Sequence, residues 1–353
     1  MTFEVKPNPD FSRLEKAVRR EDNPDRAVIF ELFSNIEGEV LGALGIEALH
    51  GSYEELSRED FLERHIKYNY TVGYDFINVW CRDGMNFPVK TEEIIGNDGV
   101  KRRFDTSKTV MIDTEEDFEN YPWPDMANGD YSLFDKAKDW TPDGMRIVTG
   151  YPGILQTVSE LLGYEAMCIK LFEEPDLVKA VFEEVGSRIV KHLEVCAQHE
   201  DVGIVQLGDD LGFATQTLFS PGLYRELLFP WYKKATKIIH DAGKLSFLHS
   251  CGKRDEIMAD LVDCGWDAIH SFEDKIHPVW EFKKEWDDKL GILGGFDMHK
   301  IETFNEEQVR AHTRLLIEKC GTKGFALGTG NSVAPTVPVD NFLAMVDEAF
   351  KAW

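Results

Sequence analysis

Apolar and polar positions along this chain fall into a repeating unit. A short apolar run rich in β-branched residues is followed by a polar turn, then by a stretch whose apolar positions recur at three- and four-residue steps. The runs occupy residues 27–32, 76–80, 146–150, 203–207, 244–248, 267–270, 291–295 and 324–328. They are continuous rather than alternating, as strands of a parallel sheet buried on both faces must be. Between them, Tyr224, Leu227, Leu228, Trp231, Tyr232 and Ile238 mark the apolar face of one helix, and Ile257, Leu261 and Val262 that of a shorter one. Gly243 and Gly265 stand where a helix C-terminus favours a left-handed residue. Eight such units predict a (β/α)8 TIM barrel, one domain over residues 1–353, in preference to an open doubly wound sheet. Neither a GxGxxG nor a GxxxxGK[ST] phosphate loop follows any run, which weakens the open-sheet alternative. The rhythm breaks from about 85 to 144, a polar, turn-rich stretch with a hairpin signal at Gly96-Asn97-Asp98-Gly99. It reads as an insertion near the barrel mouth, a candidate lid.

Composition narrows the function classes. With 43% hydrophobic residues the chain has material for a large core without metals or disulfides to staple it. Its six cysteines are scattered, and the N-terminus shows no signal peptide, so a reducing cytoplasm is the expected compartment. No apolar run approaches the length of a membrane span. The 64 acidic against 39 basic residues give a net charge of −25, which repels phosphate backbones and anionic lipid. Nucleic acid and membrane are therefore not expected partners.

Barrel active sites gather at the C-terminal ends of the strands. There this sequence places Glu31, Asn78, Arg82, Thr149, Tyr151, Asp209, Asp210, His249, Cys251, His270, Glu273, Asp297, Thr329 and Asn331. The sharpest pair lies in Leu248-His249-Ser250-Cys251-Gly252. Residues i and i+2 of an extended strand end point to one side, so an imidazole and a thiolate can reach one ion, and that donor pair suits Zn²⁺ better than Mg²⁺ or Ca²⁺. A buried histidine beside an inert cysteine satisfies the same pattern. Glu273, after the next run, is the expected third ligand by position, or else a surface carboxylate. Asp209 and Asp210 can serve as general acid or base, or one of them can cap the following helix. Glu31 joins them as a candidate acid or base. His270 and His277 either face the pocket or are satisfied within the structure.

Four stretches carry a family resemblance: Gly208-Asp209-Asp210-Leu211-Gly212, Phe219-Ser220-Pro221-Gly222-Leu223-Tyr224, the His249/Cys251 segment, and Gly330-Asn331-Ser332 through Pro338-Val339-Asp340-Asn341. Over about residues 140–353 the chain resembles the uroporphyrinogen decarboxylase superfamily, whose fold is a (β/α)8 barrel. True decarboxylases of that group carry an arginine-rich N-terminal motif and an aspartate after the second strand. Here the corresponding segments read Phe30-Glu31-Leu32-Phe33-Ser34-Asn35-Ile36 and Ile77-Asn78-Val79-Trp80-Cys81, without either. A pocket for a polyanion should be basic.

The chain is more similar to the cobamide-dependent methyltransferase branch, as in methoxyaromatic O-demethylase systems. That resemblance implies a Zn²⁺ held by His249 and Cys251 with an acidic residue at Glu273, and a further cysteine ligand whose position falls on Asn331. It implies transfer of a methyl group from a methylated small molecule, such as a methoxylated aromatic, to the cobalamin of a separate corrinoid protein. Asp209 or Asp210 would orient the donor, and Trp80, Arg82, Tyr151, Phe213, His270 and Asn331 would line its site. Transfer from methylcobamide to a thiol or tetrahydrofolate is the alternative direction, and a decarboxylase-like or non-catalytic tetrapyrrole- or corrinoid-binding barrel the alternative class. Relatives often pair, so a homodimer is an expected assembly.

Overall fold

The computed structural model describes residues 3–21, 23–49, 56–89, 91–95, 101–105 and 110–353. Its strands are β1 (Phe76–Asn78), β2 (Thr91–Ile95), β3 (Lys101–Asp105), β4 (Arg146–Pro152), β5 (Val202–Gly208), β6 (Leu245–His249), β7 (Ala268–His270), β8 (Gly291–Leu293) and β9 (Phe325–Ala326). Seven of them form one parallel sheet in the order β1-β4-β5-β6-β7-β8-β9, and β2 and β3 pair antiparallel on their own. Each parallel crossover carries helix, the physical requirement for joining parallel neighbours. The long helix Pro175–Gln198 lays its buried face against β4 and β5. Gly243 and Gly265, at φ 72° and 92°, stop their helices as the sequence requires.

The sheet curls on itself. Phe30 packs its ring 5.4 Å from Phe76 on β1 and 5.3 Å from Phe247 on β6, strands that are not neighbours in the sheet. One residue can touch both only across the interior of a barrel. The fold is the α/β barrel that the alternation predicts.

The first apolar run, residues 27–32, departs from expectation. It occupies the eighth place but is not a laddered strand. It joins the last strand through the Ile29/Leu327 bridge, with Phe30 N–H donating to Leu327 O (2.9 Å) and Leu327 N–H to Val28 O (2.8 Å). Toward β1, side chains close the barrel instead of a ladder. Asn78 N–H donates to His65 Nε2 (3.0 Å), and the Asn78 amide reaches Glu31 O (3.3 Å). His65, on the helix Arg58–Val72, is held through Nδ1 by Glu37 (2.6 Å). The donor that a ladder would use is thus taken by an imidazole.

Within the interrupting stretch, the β2/β3 pairing matches the expected hairpin arms, while the turn signal at residues 96–99 lies outside the described residues. The helices Glu115–Asn120 and Ser132–Trp140 follow. Side chains tie the insertion to the barrel: Tyr151 OH donates to Met85 O (2.8 Å), Lys170 Nζ to Asp113 O (2.6 Å) and Arg188 Nε to Pro124 O (3.2 Å). Among the described residues, no helix is long and apolar enough to cross a membrane.

Candidate metal centre

β6 ends at His249, and the chain then turns through Ser250-Cys251-Gly252 across the end of β7. Gly252 makes the turn possible. Its φ is +83°, and a Cβ there would collide with the carbonyl of Gly212 from the loop after β5. The turn brings Cys251 Sγ to 3.6 Å from His249 Nε2. Asp210, following β5, accepts from Cys251 N–H through Oδ1 (2.8 Å), and the same oxygen lies 3.8 Å from His249 Nε2. One ligand atom from each of Asp210, His249 and Cys251 falls within 4.8 Å of the others.

This donor set fits a zinc ion. Zinc bonds of about 2.0–2.3 Å at tetrahedral angles put neighbouring N, S and O ligands about 3.3–3.6 Å apart. The observed separations of 3.6 and 3.8 Å therefore need only a small contraction. Burial, aided by the charge of Arg254, pushes the His249 imidazole down to about 4, so it is the neutral ligand form. Burial and the neighbouring Asp210 carboxylate push the Cys251 thiol up to about 12 in the metal-free protein. A bound cation reverses that preference, because a coordinating thiol loses its proton.

Two residues brace the cluster that sequence reasoning did not single out. Arg254, 6% exposed, donates to Ser250 O, to Gly252 O (3.3 Å) and to Ser271 O (2.7 Å). It clamps the Cys251 turn to the end of β7. Ser271 Oγ lies 3.5 Å from the Cys251 sulfur. The sequence shows only an arginine three residues beyond the cysteine; its burial, which obliges the guanidinium to find carbonyls, appears only in the fold.

The remaining expected site residues separate into near and far. Asn331 Nδ2 donates to Cys251 Sγ (3.3 Å), so it stands at the cluster. Glu273, expected as the third ligand, is exposed and outside the cluster, beside a cavity of about 20 Å³ lined by Arg254, Ser271 and His277. Asp210 is the carboxylate whose oxygen lies with His249 and Cys251. Asp209 is fully buried and takes Leu155 N–H (3.0 Å), Gln156 N–H (2.9 Å) and Tyr232 OH (2.9 Å), capping the helix Ile154–Leu162 from a neighbouring loop. Burial raises its carboxyl to about 7 against those donors. Glu31 is buried and accepts from the Thr329 amide (2.8 Å) and hydroxyl, and burial lifts it to about 8.

His270 is fully buried, its Nδ1 2.7 Å from His249 Nδ1. Tyr151 is also buried, its hydroxyl committed to Met85. Trp80 is partly exposed with the Arg82 guanidinium 5.8 Å over its ring, and Phe213 is half exposed against Tyr164. Gly208, at the end of β5, sits between Gln206 and His249 without crowding either. A Cβ there would find Gln206 Oε1 and His249 Cδ2 each 3.9 Å away. Among the described residues, Gln206 Oε1 is buried without a hydrogen-bond partner, which leaves an acceptor unused near His249.

A family model described as uroporphyrinogen decarboxylase (URO-D) matches residues 110–352. The chain is 23% identical over 201 residues to the methylcobamide:CoM methyltransferase MtaA of Methanosarcina barkeri, covering 57% of this chain and 56% of that protein. The protein of the same name from M. barkeri strain Fusaro / DSM 804 is 22% identical over the same extent. The chain thus matches little more than half the length of these curated relatives. Among solved structures, a methyltransferase from Methanosarcina mazei superposes with a TM-score of 0.71 at 15% identity, over 96% of this chain and 98% of that one. A B12-independent methionine synthase from Shewanella sp. W3-18-1 superposes with a TM-score of 0.50 at 14% identity, over 85% and 89%. These two likenesses concern the fold. The family match covers well over half of the 353 residues, and the chain belongs to the uroporphyrinogen decarboxylase (URO-D) family.

Proposed function

We propose that this protein is a zinc-dependent methyltransferase that moves a methyl group between a small methylated substrate and the corrinoid of a partner protein. The observation that carries the reading is the Asp210, His249 and Cys251 cluster at the strand ends, braced by Arg254 and Ser271. The family's decarboxylase chemistry suits this chain poorly, because the segment 30–36 offers no arginine to a polycarboxylate. When bound, zinc supplies a Lewis acid that polarises the atom carrying the methyl group. His249 offers the Nε2 lone pair, Cys251 a thiolate and Asp210 a carboxylate oxygen. Trp80 and Phe213 present apolar surface, and Gln206 offers an unused acceptor near His249. Asn331 stands beside the sulfur where a second cysteine would make the site softer. An N, S and O set is harder than one rich in thiolates, and so favours a methyl ether such as a methoxylated aromatic as the donor.

The reverse half-reaction, from methylcobamide to a thiol, is the second reading, because the curated relatives are named for it. Free cob(I)alamin with methoxyarenes, run against methylcobalamin with thiols, separates the two by the change in corrinoid absorbance. Expected is turnover in one direction only, lost with His249→Ala. Protein purified without chelator that holds no zinc, and a His249→Ala variant as active as the parent, would sink the metal mechanism.

A further inference from the structure

We propose that His270 is a positioning residue that fixes the tautomer of His249, so that the lone pair of His249 Nε2 faces the ligand cluster. The inference rests on the metal site proposed above, but its first measurement does not need the metal.

The Thr329 carbonyl can only accept, and it lies 3.2 Å from His270 Nε2, so that nitrogen carries a hydrogen. A neutral imidazole has one N–H, which leaves His270 Nδ1 as an acceptor. His270 is fully buried and, among the described residues, its ring bonds only Thr329 O and His249, neither a carboxylate, so it is neutral. His270 Nδ1 lies 2.7 Å from His249 Nδ1. The hydrogen between them therefore belongs to His249 Nδ1, and His249 Nε2 is bare. That bare nitrogen is the one 3.6 Å from Cys251 Sγ and 3.8 Å from Asp210 Oδ1. Ligating histidines need their second nitrogen anchored in this way, usually by a carboxylate or a carbonyl. Here a second imidazole passes the anchor on to a backbone carbonyl.

The surroundings keep the relay in place. Gly294 has φ +85°, and a Cβ there would meet His270 Cδ2 at 2.8 Å and Nε2 at 2.9 Å, besides colliding with Thr329 O. Only glycine leaves room for the His270–Thr329 bond. The Phe30 ring, from the first apolar run, packs edge-on to His270 with centroids 5.6 Å apart.

The test uses the full chain with ¹⁵N-labelled histidine, metal-free, and long-range ¹H–¹⁵N correlations assigned by loss of the His249 signals in His249→Ala. Expected is a His249 ring protonated at Nδ1 alone. His270→Leu removes the acceptor, and His249 then populates both tautomers while zinc affinity, read by chelator competition, falls by about 10–100-fold. In His270→Asn the side-chain oxygen can replace Nδ1, and tautomer and affinity return to within a few-fold of the parent. A parent protein with the hydrogen on His249 Nε2 overturns the proposal, and that reading requires no variant to fold. So does a His270→Leu protein with unchanged tautomer and affinity, or equal losses in both variants. If the tautomer is as stated and no methyl transfer is found, only the proposed function falls.

Discussion

Asp209 and Asp210 are adjacent in sequence and do opposite things. One is sealed beneath a helix, and the other reaches the cluster through an oxygen that also takes Cys251 N–H. Nothing in a doublet of identical residues tells which is which. The difference arises from where the chain leaves β5, and that is a tertiary fact. That His249 and Cys251 come together was legible because the i, i+2 rule still holds at the end of a strand. Glu273 was placed by its position after the next strand; β7 ends at His270, and it is Ser271 that comes beside the thiol while Glu273 stays exposed. Metal content is the sharpest test at this scale. Zinc bound by the purified protein is expected to be lost in Cys251→Ser and His249→Ala, as measured by atomic emission after dialysis. Asp210→Asn keeps an acceptor for Cys251 N–H but removes the charge, and its zinc affinity should fall by roughly 10–100-fold.

Elements fix these side chains through their ends. The helix Ile154–Leu162 begins at Gly153 with no cap of its own, and Asp209 supplies one from outside the helix. Asp209→Asn puts an NH₂ among three donors, and it should lower the unfolding free energy by about 1–3 kcal/mol. Urea unfolding checks this. A wholly inactive variant of unchanged stability would return Asp209 to the chemistry. The turn at Gly252 is equally demanding. Gly252→Ala must push residues 250–252 off the Gly212 carbonyl, so metal affinity should drop while circular dichroism of the barrel stays near that of the parent. Strands and helices were readable from apolar runs and their spacing. The caps and turns were less so, because their partners lie far away in sequence.

The whole molecule is a ring whose first and last segments meet at Glu31 and Thr329. Burial holds Glu31 up to about 8, against about 4.3 in an unfolded chain. The folded state therefore binds the proton more tightly. Its contribution to stability is complete below about pH 4 and is lost as pH rises through about 8. Glu31→Gln stays neutral, and Thr329 Oγ can accept from its amide. Between pH 6 and 9 the variant should gain on the parent by about 1 kcal/mol or more, roughly 2–4 °C in melting temperature. Loss of turnover at every pH, with no such gain, would make Glu31 a proton carrier. The eight runs made the barrel legible, but not that its first run lacks a ladder toward β1. That depended on His65, which lies in a helix and shows no mark of the role in sequence. The seam has a genetic consequence. Backbone ladders are indifferent to side-chain identity, so seven staves tolerate substitution as far as packing allows. The remaining joint is written in Phe30, His65, Phe76 and Asn78, and it is where a single codon change can untie the ring.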